Sequence, residues 1–152
     1  MHWISHRGNI FGSNKKLEND PSQIEKVVKM SFECEIDVRV SKNKKIYLGH
    51  DSPMYEVDTN WLDRFSKNLW IHCKDWETLD YFCETKHNYF FHNTDDYTIT
   101  SHGYIWAFPG KCFSSKFIDV LPERNIETQD RGALQNKKAG ICSDIIGKYR
   151  EK

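Results

Sequence analysis

Ser5-His6-Arg7-Gly8, Glu35-Ile36-Asp37 and Gly49-His50-Asp51 all fall in the first third of this 152-residue chain, each in or at the end of a short apolar run. Histidine is the side chain best suited to exchange protons near neutral pH. Glu35 and Asp37 stand two apart on a strand-like segment, so they point to one face and can hold one hard divalent cation through oxygen. Phosphodiester hydrolysis requires charge neutralisation on the equatorial oxygens, a proton acceptor for the nucleophile and a donor for the leaving group. Arg7 adds a fixed fork of donors suited to phosphate.

The elements that must position these residues follow from periodicity. Residues 2–5 read as a strand that delivers His6. Asn19-Asp20-Pro21-Ser22 opens a helix, with a cap residue before an early proline and Ile24, Val27 and Val28 at helical spacing. Residues 33–40 alternate strictly: Cys34, Ile36, Val38 and Val40 share one face, and Glu33, Glu35, Asp37 and Arg39 the other. A face of four charges on a central strand is costly to bury unless it lines a site.

Residues 46–48 form the next strand after a turn at Asn43, and a short helical turn follows at 61–65. Residues 69–74 form a strand carrying His72 and Lys74, and 76–85 a helix with Leu79, Phe82 and Cys83 inward. The strand 89–91 ends at His92, and strands at 97–100 and 104–107 flank a turn at 101–103. Segments 117–121 and 140–143 bring the strand count to eight or nine. This alternation predicts an α/β fold with parallel strands, whose chemistry gathers at the strands' C-terminal edge. His6, His50, Lys74 and His92 stand at or just beyond such ends. No repeat, low-complexity tract or linker divides the chain, so residues 1–152 are read as a single domain.

The three opening motifs, in this order and spacing, resemble the N-terminal signature of the glycerophosphodiester phosphodiesterases, within the phosphatidylinositol-specific phospholipase C-like superfamily. The resemblance covers residues 2–54 most strongly, extends to residues 68–74, and returns at Ala139-Gly140-Ile141-Cys142-Ser143-Asp144. It implies a TIM-type (β/α) barrel. Such barrels typically run to about 250 residues, so several helices here must be reduced or missing. By resemblance, His6 and His50 are the general acid–base pair, Arg7 and Lys74 contact the phosphate, and Glu35 and Asp37 bind the metal. The family's next strand supplies a third carboxylate where this chain has His72. One divalent metal is implied, Mg²⁺ or Ca²⁺ first. His72 would soften the site and bring Zn²⁺ or Mn²⁺ into consideration; alternatively Asp51 or a water fills that position.

Each of these residues also has a structural alternative. Glu35 and Asp37 could form a solvated face paired with Arg39, and His50-Asp51 could cap a turn before Pro53. His72 could be a satisfied pocket histidine, and Lys74 a surface charge. His92 and Trp106 are read as lining the substrate cleft, with core packing the commoner use of such a tryptophan. His87 and His102 fall in turn-like contexts and are expected to be exposed.

Basic and acidic residues balance at 22 each, which excludes general electrostatic attraction to nucleic acid or anionic membrane. No apolar run approaches the roughly 18 residues needed for a membrane span, and the N-terminus does not read as a signal peptide. Five cysteines without CxxC spacing point to reduced, mostly buried thiols and a cytoplasmic location.

The expected activity is metal-dependent hydrolysis of a small-molecule phosphodiester, such as a glycerophosphodiester. The alternatives are a phospholipase D-like lyase acting on lysophospholipid and a non-catalytic module that binds phosphorylated ligands.

Overall fold

A computed structural model describes residues 1–124 and 138–151. Its elements run β1 (His2–His6), α1 (Pro21–Lys29), β2 (Glu33–Val40), β3 (Ile46–Leu48), β4 (Tyr55–Val57), α2 (Thr59–Arg64), β5 (Leu69–Cys73), α3 (Trp76–Cys83) and β6 (Tyr89–Phe91). After these come β7 (Tyr97–Ile99), β8 (Ile105–Ala107), β9 (Phe117–Val120), a 3₁₀ turn (Pro122–Arg124), β10 (Gly140–Ser143) and α4 (Ile146–Arg150). The first three helices begin at aspartate caps. Asp20 accepts from the Ser22 and Gln23 amides, Asp58 from Trp61 and Asp75 from Thr78. Each cap satisfies amides that the first helical turn leaves unpaired.

The strands form one ten-stranded sheet, so the fold is mixed α/β with few helices. Pairing is parallel along β6–β5–β2–β1–β10–β9–β8 and antiparallel at β2–β3, β3–β4 and β7–β8. β2 is the pivot. Its first half pairs with β1 at Glu33–Glu35, Cys34 to Val38 pair with β5, and Val38 to Val40 extend beyond the end of β1 to receive β3.

The period-two alternation of β2 separates two cores. On its outer face, Cys34, Ile36 and Val38 pack with Ile24 and Val27 of α1, Leu62 of α2, Phe82 of α3 and Ile146 of α4. On the inner face, Ile4, Trp70, Phe90, Trp106, Ile118, Val120 and Cys142 meet in a second cluster drawn from β1, β5, β6, β8, β9 and β10. A polar floor closes the end of this inner cluster where β1 begins. There His2 Nδ1 lies 2.8 Å from Glu33, the Trp70 indole N–H donates to the other Glu33 oxygen at 2.6 Å, and His2 Nε2 meets the Tyr104 hydroxyl at 3.0 Å. Glu33 therefore belongs to the floor, at the opposite end of β2 from Asp37.

Several sequence expectations are corrected. β3 is antiparallel to β2, so His50 arrives from a hairpin that doubles back rather than from the C-terminal end of a parallel strand. β4 pairs with β3 although its Tyr-Glu-Val run gave no signal, since a three-residue edge strand carries little periodicity. Cys83 is exposed at the last position of α3, and Cys112 is only half-buried. His87 is largely covered, packing edge-on against Phe82 and lying 3.3 Å from Asp63. Among the described residues, no helix is long and apolar enough to cross a membrane.

The hairpin's return depends on Gly49. Its amide donates to the Asp37 carbonyl at 3.0 Å, its φ is +148°, and an added Cβ would lie 2.1 Å from the Ser52 carbonyl oxygen. Gly49→Ala is expected to destabilise the protein by more than about 1 kcal/mol, measured by urea unfolding. A variant as stable as the parent would contradict this account of the turn.

Candidate active site

Residues of β1, β2, β5, β8 and β9 and of the loops that follow them line a cavity of about 680 Å³. His6 and Arg7 enter it from β1, Glu35 from β2, His50 from the β3 hairpin, and His72 and Lys74 from β5. His92 follows β6, and Trp106 comes from β8. Asp37 lies beneath this lining, wholly buried. His6, Arg7, Glu35, His50, His72, Lys74, His92 and Trp106 therefore line one cavity with Asp37 beneath it, whereas the side chain of Asp51 is exposed and outside the lining.

At the centre lie two buried carboxylates among cations. Asp37 Oδ2 is 2.9 Å from Arg7 Nε and accepts from the Asn19 amide at 3.0 Å. Asp37 Oδ1 faces His72 Nδ1 at 3.2 Å and Lys74 Nζ at 3.3 Å. His72 Nδ1 also lies 3.5 Å from Glu35 Oε1. Burial pushes the Asp37 carboxyl up, but His72, Arg7 and Lys74 outweigh it and hold the group well below the usual carboxylate range. Burial likewise opposes a charged His72, yet Asp37 and Glu35 prevail and raise it to about 9. The His72 ring stacks on Phe90 at 4.9 Å, and its Nε2–H donates to the His92 carbonyl at 3.0 Å.

Among the described residues, Glu35 Oε2 is buried and accepts no hydrogen bond, while Asp37 Oδ1 is buried with only the His72 and Lys74 cations beside it. Orphaned, buried carboxylate oxygens are stable only beside positive charge. Glu35, Asp37 and His72 each offer one ligand atom within 4.8 Å of the others, so this donor set fits a divalent cation.

His6 has a different support. Its Nδ1–H donates to Asp144 Oδ1 at 2.7 Å, which leaves Nε2 facing the cavity, 3.9 Å from Glu35 Oε2. Asp144 also accepts from the Asn9 amide at 2.8 Å and from Arg124 at 3.1 Å. Its own amide donates to Glu123 at 2.9 Å. Burial raises the Asp144 carboxyl, but the bonds from His6, Asn9 and Arg124 prevail and lower it to about 2. His50 Nδ1 lies 2.7 Å from the exposed Asp51 carboxylate, and the His50 carbonyl accepts from Arg39 at 2.7 Å. The His92 ring donates to the Asp95 carbonyl, and burial together with nearby His72 and Lys74 pushes its pKa down.

Asp144, Asn9, Asn19 and Arg124 were not identified as site residues from the sequence. Asp144 stands directly after β10, and the rule that chemistry gathers at strand ends could have found it. Asn19 carries no such signal. It adopts φ +62° in the loop before α1 and reaches Asp37 with its amide while accepting from the Asp37 backbone N–H at 2.9 Å. No protein-family model, curated protein or solved structure matches this chain.

Asp144→Asn is expected to lower stability by about 1–3 kcal/mol at pH 7, the range for a buried hydrogen bond to a charged group. Because the folded pKa is depressed, the carboxylate's contribution is complete above about pH 4 and disappears as pH falls towards 2. Thermal unfolding of parent and variant should therefore differ at pH 7 and converge in acid; a constant gap would contradict it.

Proposed function

We propose that this chain is a compact, metal-dependent phosphodiesterase that hydrolyses a small phosphodiester of the glycerophosphodiester type. The observation that carries this reading is the pair of buried carboxylates, with Glu35 Oε2 accepting no hydrogen bond, adjoining a histidine whose Nε2 faces the same cavity. A purely structural cluster has no need of His6 Nε2 left open to the cavity.

In this reading Arg7 and Lys74 bind the phosphate, with Lys74 acting as a point charge and Arg7 through its fork. A divalent cation held by Glu35, Asp37 and His72 would offset charge on the phosphoryl oxygens. Mg²⁺ or Ca²⁺ suits the carboxylates, and the imidazole admits Zn²⁺ or Mn²⁺. His72 must shed its Nδ1 proton to serve as a ligand.

His6 and His50 exchange protons with the nucleophile and the leaving alkoxide. Asp144 holds the His6 ring by Nδ1 and so keeps Nε2 turned to the cavity. The nucleophile is either water or a 2-hydroxyl of the substrate itself.

The same proposal extends to the architecture, a shortened (β/α) barrel with reduced helices. It is supported by the inner cluster drawn from six strands. Between β6 and β7 the Ser101 amide donates to the Tyr89 carbonyl at 2.8 Å, and the Thr98 hydroxyl to the Phe91 carbonyl at 2.9 Å.

The test is hydrolysis of bis-(p-nitrophenyl) phosphate and of glycerophosphodiesters after EDTA treatment and after adding single metals. Activity is expected to vanish with EDTA and return with a divalent cation. His6→Ala and His50→Ala should fold normally and lose at least about a hundredfold in rate. No turnover under any metal, or near-parental turnover by either variant, would overturn the proposal. Phosphorus NMR identifies the product, and a cyclic phosphate as the final species would assign a lyase instead.

A further inference from the structure

The cavity has two unlike halves. One carries the ionisable set described above. The other is a wall of Trp106, Phe108, Pro109, Val120 and Leu121, with no carboxylate, amide or hydroxyl side chain among them. The polar side chains at its margins are Asn93 and Arg124, and Arg124 is bonded to Asp144. Hydroxyls placed against this wall would lose water without gaining partners. The cavity volume of about 680 Å³ falls in the range that encloses a drug-sized ligand, more room than a phosphate with two small polar arms needs.

Phe108 is the informative member of the wall. It is 51% exposed, and its backbone is tied down at the cavity mouth. The Lys111 amide donates to the Phe108 carbonyl at 3.0 Å across Pro109 and Gly110 (φ +84°), the arrangement of a type II turn. The Phe108 amide donates to the Asp96 carbonyl at 2.9 Å, and Lys111 pairs with the Asp96 carboxylate at 3.0 Å. A large apolar side chain kept exposed on a tethered turn, beside a cavity whose adjoining wall is apolar, has the form of a ligand contact.

We infer that one ester arm of the substrate is apolar, an alkyl or aryl group lying against the Trp106–Phe108–Leu121 wall, rather than a second polyol. The inference rests on the phosphodiesterase reading and narrows its substrate class. The phosphate and its metal face the ionisable half, and the apolar arm extends along the other.

The experiment uses glycerophosphodiesters with one constant glycerol phosphate and a varied alcohol: ethyl, butyl, hexyl or a second glycerol. Glycerol phosphate release is followed with the activating metal present. Full burial of a methylene is worth about fourfold. Hexyl should therefore exceed ethyl by at least about tenfold in kcat/KM, and glycerol should be the poorest arm. Phe108→Ala should compress the hexyl-to-ethyl ratio, and Phe108→Leu should retain most of it. Phe108 is exposed, so neither variant threatens folding. Turnover of the whole series with a flat or falling chain dependence would overturn this inference and leave the phosphodiesterase reading standing. No turnover of any member under any metal would overturn both.

Discussion

Two carboxylates buried inside a sheet are the constraint around which this structure is arranged. Glu35 is 2% exposed and Asp37 is fully buried, and a carboxylate keeps its charge in such a place only with compensation. Asp37 draws Arg7 from the end of β1, His72 from β5, Lys74 from just beyond β5, and Asn19 from the loop before α1. Four side chains from three chain segments are thus committed to one carboxylate. The commitment has a conformational cost, since Arg7 and Asn19 both adopt left-handed backbone (φ +56° and +62°). Such strain costs about 1–3 kcal/mol for an ordinary residue and less for asparagine. It persists because the surrounding charges over-determine the geometry.

The helices take sides around this centre. α1, α2, α3 and α4 all pack into the outer core against the strands that carry the ionisable residues, chiefly β2 and β5. The inner core is aromatic instead. Trp106 lies 4.5 Å from Phe90 and 5.9 Å from Trp70, and Phe90 in turn stacks on His72. The aromatic stack therefore forms both the wall beneath the cavity and the platform that orients a candidate metal ligand. Side chains that look like ordinary core also fix the plane of a functional ring.

Much of the site was legible because β2 alternates so strictly. Four charges on one face of a central strand left few arrangements, and Glu35 and Asp37 lie where that argument put them. The same argument misplaced their neighbours: Glu33 went to the floor and Arg39 to the His50 carbonyl, because a strand of eight residues passes through more than one layer. What stayed hidden is what tertiary pairing decides. The antiparallel return of β3, the short β4 and the reach of Asn19 depend on partners distant in sequence. Cys83 reads as inward by helical spacing, but it stands at the last position of α3, where the helix has no further partner.

The contrast between the two halves of the cavity lining follows from how each is backed. β1, β2 and β5 lie between the inner cluster and a helix-lined outer core, so His6, Glu35 and His72 project from strands packed on both faces. Proton exchange and metal ligation tolerate little positional error, and a doubly packed strand supplies that rigidity. β7, β8 and β9 have no α-helix between them among the described residues; behind β9, a buried Asp119–Lys138 pair at 2.6 Å stands where another fold would place an apolar helix face. An apolar wall needs less precision, because hydrophobic contact is non-directional and scales with area. Among the described residues, the α-helices therefore back the strands that carry the ionisable set, where side-chain position matters most.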